Sequence, residues 1–214
     1  GVMLSNPAWR GSQGEFAERA CNWLLHPDGD AMMSLAIFLD AHAVCGDAGL
    51  LESVRDRVFA LANDNDALIA RFAAAIDAFA DDENWWNRLW APAPSHTGRF
   101  DPKKQGTFPI VHGVRSLALR HHVRETSTAA RLDALVAAGQ MEHELATDVL
   151  ESLNFFMRLK LQAGLDEMDR GQPVSGSVDL GRLGSLERDL LKDTLDVVKR
   201  FRRMLRARFH LDAL

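Results

Sequence analysis

The densest set of groups able to meet an anion lies in FDPKKQGTFPIVHGVRSLAL, residues 100–119, where Lys103, Lys104, His112 and Arg115 surround a helix predicted to start near Pro109. The first N–H groups of a helix point outward with a partial positive charge, so such a start flanked by bases could hold a phosphate or nucleotide. A solvated loop with ordinary surface arginines is the competing account. Arg131, Arg158 and Gln162 offer the same chemistry, and Arg158 and Gln162, four residues apart, share a helix face, where a structural ion pair competes with ligand binding. Lys199, Arg200, Arg202, Arg203, Arg206 and Arg208 alternate with Val198, Phe201, Leu205 and Phe209 at helical spacing. They are expected to form the wet face of a terminal helix, and nucleic acid is not expected as a partner. His121 and His122 are expected to close a helix without a metal, and Trp85, Trp86 and Trp90 to pack a connection onto the core.

The elements that must position these groups are mostly helices. Ser12 followed by Glu15 predicts a capping box opening a helix through Trp23, with a shorter start at Asn6–Pro7. Leu50, Val54, Val58 and Leu61 form one apolar stripe, and Ile69, Phe72, Ile76 and Phe79 a second after the Asp64–Asp66 break, so the two helices are expected to pair as a hairpin. From Asp82 to Phe108 the periodicity fails among prolines and glycines, which reads as a linker. Beyond it, helices are predicted over about 109–122, 128–138, 141–169 and 185–209, with Gly139 as a C-terminal cap. Leu145, Val149, Leu153 and Phe156 line one long helix, and Leu186, Leu190, Val198, Phe201, Leu205 and Phe209 line the other, as in an antiparallel bundle. Ile37–Val44 reads instead as a short strand running into the Gly46–Asp47 turn. The fold class is therefore mainly α, a helical bundle with at most one or two short strands near residues 36–44.

At 214 residues and 47% hydrophobic composition the chain can bury a substantial core, which excludes disorder and a disulfide scaffold. Cys21 and Cys45 stand in no CxxC pair, and eight histidines give no zinc spacing, so a reducing cytoplasm is expected. No apolar run approaches the roughly 20 residues of a membrane span, and no membrane partner is expected. Net charge is −5, divided between 7 basic and 14 acidic residues up to position 100 and 18 and 16 after it. An anion would favour the second half.

GVMLSNPAWR, FLDAHAVCGD, FDPKKQGTFPIVHGVRSLAL, STAARLDALVAAG, FFMRLKLQ and SLERDLLKDTLDVVKRFRRMLRARF occur in an order that resembles the GlnD-like nucleotidyltransferases. This bacterial signal-transduction family is related to PII-uridylyltransferase and is often found behind CBS or cyclic-nucleotide-binding domains. The resemblance implies that the chain is the C-terminal part of such a protein. Residues 1–82 would be the tail of the catalytic domain with a helical hairpin, 83–108 a linker and 109–214 a helical substrate-binding domain. It further implies that Asp40, in an h-D-h pattern on the expected strand, is the third metal-binding carboxylate, catalytic only beside upstream carboxylates. Two Mg²⁺ ions would there bridge the triphosphate and the attacking oxygen. Where relatives read D-x-R this chain has His42. Asp28, Gly29 and Asp30 follow Pro27 in a polar turn without strand context and are not expected to be the missing metal pair. Two function classes follow. One is the accessory half of a nucleotidyltransferase, inactive alone, that binds a nucleoside triphosphate or an acceptor such as a PII-like protein. The other is a noncatalytic module that couples sensor domains to an output or forms a homodimer.

Overall fold

The computed structural model of the chain describes residues 2–3, 5–63, 65–77 and 98–213. Asp64, Phe79, the three tryptophans at 85, 86 and 90, and most of the expected linker lie outside them. The described elements are α1 (Gln13–Leu25), α2 (Gly29–Leu39), α3 (Ala48–Asn63), α4 (Asp66–Ala73), β1 (Arg99–Phe100), α5 (Phe108–Arg120), α6 (Thr128–Ala137), α7 (His143–Asp169), β2 (Val178–Asp179) and α8 (Ser185–Phe209). The chain is a mainly α helical bundle, as its periodicity predicts.

Local chemistry sets most boundaries. Ser12 and Glu15 form the expected reciprocal cap, the Ser12 N–H donating to Glu15 Oε2 at 2.8 Å. Ser127 caps α6, and Gly139, at φ +66°, ends it by letting the Gln140 N–H reach the Leu135 carbonyl at 2.8 Å. Asn65 caps α4, with Asp66 in its first turn.

The expected strand over Ile37–Val44 is not formed. Asp28 accepts from the Ala31 N–H at 2.7 Å and starts α2, which continues through Ile37, Phe38 and Leu39 and stops at Asp40. The apolar run is the core face of a helix end, with Leu35, Ala36, Phe38 and Leu39 buried, and a short apolar run alone does not separate that from a strand. The sheet found is elsewhere: β1 and β2 pair antiparallel, Arg99 opposite Asp179 and Phe100 opposite Val178. The fully buried Phe100 then packs on Phe156 of α7 at 6.0 Å between ring centroids.

At the centre stands α5, buried on nearly every side and packed against α2, α3, α4, α6 and α8. Gly113 lets α8 approach, because a Cβ there would stand 2.8 Å from Cε1 of Phe201. α3 touches α4 but lies chiefly along α1, and α7 and α8 run antiparallel, Asp148 meeting Arg200 at one end and Leu159 sharing a cavity wall with Glu187 at the other. The α8 stripe is buried from Leu191 to Phe209, whereas Leu186 and Leu190 face outward, and Leu50 of α3 is exposed beside the buried Val54 and Val58. One contiguous core joins Ala17, Leu35 and Val58 to Val149, Phe201 and Leu211. No described helix is long and apolar enough to cross a membrane.

Candidate functional site

Three arginines gather at the C-terminal end of α2. Arg115 of α5 grips Asp40 with two nitrogens, Nε donating to Oδ1 at 3.1 Å and Nη2 to Oδ2. Arg131 of α6 donates from Nη1 to Asp40 Oδ1 at 2.6 Å and from Nη2 to the Leu39 carbonyl at 2.8 Å. Arg55 of α3 bonds the Ala41 carbonyl and pairs with Glu52 at 2.7 Å. The last carbonyls of a helix have no partner within it and carry its negative end, so guanidinium groups from three neighbouring helices satisfy both needs. All three arginines are buried, while the Asp40 side chain keeps 37% of its surface exposed. Burial pushes the Asp40 carboxyl up, but the hydrogen bonds and charges of Arg115 and Arg131 outweigh it and hold the group below its ordinary value.

Asp40 stands in other surroundings than its reading as a third metal-binding carboxylate implies. The strand that supported the match is a helix end, both oxygens accept from arginine, and His42 is exposed in the following loop. No group of three or more His, Cys, Asp or Glu that could hold a metal occurs among the described residues.

The expected phosphate cradle also takes another form. Lys103–Thr107 make a wide helical turn that runs into α5, Phe108 N–H donating to the Lys103 carbonyl, so no free helix start exists at Pro109. The N–H groups of Lys103 and Lys104 are already held by Asp101 Oδ1, at 2.9 and 3.2 Å. His112 is buried, stacked on Phe108 and donating from Nε2 to the Phe72 carbonyl at 2.7 Å; burial takes its pKa down to about 4. Among the predicted contacts, the structure brings Arg115 and Arg131 together, but on a carboxylate of the chain itself.

Arg158 and Gln162 share a face of α7 as expected, yet meet different surroundings. Arg158 lies over the Phe155 ring, 5.5 Å from its centroid, at a groove of about 470 Å³ between α7 and α8. Gln162 donates to Asp166 at 3.0 Å beside a second cavity, walled by Arg99 and Asp179. The α7–α8 groove has Phe155 and Val197 as apolar lining and Ser152, Asn154 and Thr194 as polar groups. Its charges are Asp148, Glu151 and Asp193 against Arg158, with Asp148 also bound to Arg200. Sequence reasoning missed these acids, which stand on two helices and resemble any exposed acidic residues until the helices are paired. It also missed Glu167, buried at the end of α7, which accepts from the N–H groups of Ser175 and Gly176 at 2.6 and 3.0 Å and from Arg99 at 2.7 Å. The Ser175 hydroxyl and these N–H groups, with Arg99, draw its pKa down to about 2 and anchor the loop leading to β2.

Most of the basic face of α8 is paired within the chain. Arg202 meets Asp77 at 2.8 Å, Arg206 bonds Asp77 and Asp212, Arg200 bonds Asp148, and Arg208 donates to the Gln140 carbonyl. These are contacts of the kind a solvated helix face makes.

Comparison with protein families matches residues 66–209, from the start of α4 to the end of α8, to the family described as "Putative nucleotidyltransferase substrate binding domain". No curated protein and no solved structure matches the chain.

Proposed function

The chain belongs to that nucleotidyltransferase substrate-binding family, and on this premise we propose that it holds an acceptor in the α7–α8 groove and presents it to a nucleotidyltransferase centre. The groove carries this reading. Its volume of about 470 Å³ suits a small molecule or the tip of a protein loop, and its lining combines an aromatic ring with several hydrogen-bonding groups. With Asp148 paired to Arg200, Glu151 and Asp193 still outnumber the one lining guanidinium, which disfavours a triphosphate and favours a neutral or cationic acceptor whose nucleophile is a hydroxyl or an amine. Glu151 and Asp193 orient such a group from opposite walls, and Arg158 guards against further positive charge.

The finer assignments belong to the same proposal. The chain is an accessory part of a GlnD-like protein, inactive alone, with a PII-like protein or a small molecule as acceptor, and CBS or cyclic-nucleotide-binding domains upstream. Mg²⁺ and the nucleoside triphosphate are then held mainly by the catalytic part, with Lys103 and Lys104 the residues of this chain best placed in sequence to reach a phosphate.

Calorimetric titration separates the two ligand classes. A polyamine, an aminoglycoside and a lysine-rich peptide serve as cationic probes, with UTP and ATP as anionic ones. At least one cationic probe is expected to bind, with a tenfold or greater loss, about 1.4 kcal/mol or more, in Glu151→Lys/Asp193→Lys. Tight binding of UTP or ATP that is lost in Arg158→Glu would overturn the assignment of the groove to the acceptor.

A further inference from the structure

Past the end of the α6–α7 contact, α7 carries a stripe of large apolar side chains with no cover among the described residues. Met157, Leu161, Leu165 and Met168 are 57, 64, 47 and 62% exposed, and their spacing places them on one side of the helix. The returning loop widens the stripe. Val174, 62% exposed, rests against Gly164, where an added Cβ would touch its Cγ1 at 3.4 Å. Single exposed apolar residues need no explanation, but four on one helix face, joined by Val174 from the loop, do.

The order of these residues says what fits. Met, Leu, Leu, Met reads the same in both directions, so a second α7 laid antiparallel across the first, about a two-fold axis near residue 163, sets methionine against methionine and leucine against leucine. The charges beside the stripe obey the same symmetry. Arg158 and Asp169 are eleven residues apart, close to three full helical turns, and therefore lie on the same flank. In a two-fold antiparallel pair a flank meets the same flank of the other copy in reverse order, so Arg158 of each copy comes opposite Asp169 of the other. A parallel two-fold pair would turn the flank of Arg158 and Asp169 to the far side of the other copy, so the two charges would have no such partners.

We infer that α7 is a self-association surface and that two copies of this chain pair antiparallel through Met157, Leu161, Leu165 and Met168. The α7–α8 groove opens next to Arg158, so the pairing places two grooves on one particle, related by the two-fold axis. This inference is independent of what the grooves bind. One pair of helices and its flanks is a small interface, which suits a reversible dimer in the micromolar range.

Sedimentation equilibrium of the whole chain from about 1 to 200 μM, a range chosen to bracket such an affinity, is the test. A monomer–dimer equilibrium is expected, and Leu161→Glu/Leu165→Glu should weaken it about a hundredfold or more, since four carboxylates then face one another. Circular dichroism and thermal melting of each variant check that the fold is kept. The charge pair gives a second reading that leaves the apolar stripe alone: Arg158→Glu should weaken association, and Arg158→Glu/Asp169→Arg should restore it. A monomer at every concentration, a dimer unaffected by the glutamate pair, or a charge swap that weakens association further would each overturn the proposal, including the case in which the stripe instead meets a membrane or another protein.

Discussion

Replacing Asp40 by alanine tests whether the arginine cluster at the end of α2 is a structural clamp. The substitution deletes the acceptor of three hydrogen bonds and leaves guanidinium groups on side chains that are only 10 and 3% exposed, Arg115 and Arg131. Removing one member of a buried pair costs about 3–5 kcal/mol, because the remaining charge is desolvated and unpaired. Asp40 itself keeps 37% of its side-chain surface in water, so solvent takes over part of its role and screening reduces the loss to about 2–3 kcal/mol. For a chain of this size that corresponds to a fall in Tm of about 4–12 °C. Urea and thermal unfolding of Asp40→Ala, Arg131→Met and the double variant close a cycle in which the double variant should lose less than the sum of the single losses. The pH dependence has a definite sign. A carboxyl whose folded pKa is depressed contributes its stability above the unfolded value, near 3.9, and loses it as the pH falls through the folded one, so Asp40→Ala should flatten the acid limb of the stability curve. A loss below about 0.5 kcal/mol, the scatter of ordinary surface changes, would refute the clamp.

His112 should impose a second pH dependence. Its pKa is about 4 in the fold and near 6.5 unfolded, so the unfolded chain takes up the proton first and stability falls as the pH drops from about 6.5 to 4, by about 3 kcal/mol. His112→Gln, followed by urea unfolding over that range, should remove most of this slope. At the α5–α8 crossing, Gly113→Ala should cost about 1–3 kcal/mol, read from the urea midpoint, because the new methyl meets Phe201 and Leu205 in a filled core. An unchanged midpoint would show that the two helices can separate without penalty.

The helices were legible where periodicity and caps agreed. Ser12 with Glu15, Ser127, Gly139 and the long stripes of α7 and α8 each combine a local stereochemical cause with a repeating apolar face. Ile37–Val44 failed because eight residues, two of them alanine, are too few for either period to declare itself, and the deciding cap, Asp28, lies well upstream. The wide turn at Lys103–Thr107 leaves no such mark, since one residue added to a helical turn disturbs the periodicity no more than a loop does. Arg115 and Arg131 read from sequence as phosphate or nucleotide contacts, and in the fold both hold the Asp40 carboxylate. Their anion lies 75 and 91 positions away in the chain, and no local rule pairs residues over that span. Glu167 was illegible for the same reason, as Arg99 precedes it by 68 positions.

The clamp also bears on where this molecule can be divided. The family match opens at Asp66, yet Asp40 and its helix lie before that point, and Leu24, Leu35, Phe38, Val58 and Phe59 of the preceding helices belong to the same core as α5 and α8. A recombinant piece trimmed to residues 66–209 would keep Arg115 and Arg131 but leave their acid behind, and it would bring into water the side of α5 that α2 and α3 shelter. Such a piece should be expressed poorly or aggregate, although its borders are drawn by sequence kinship. The unit drawn by sequence kinship and the unit that folds would then differ by at least two helices, and a gene fusion or truncation that respects only the first would inherit the sequence of the domain without its solubility.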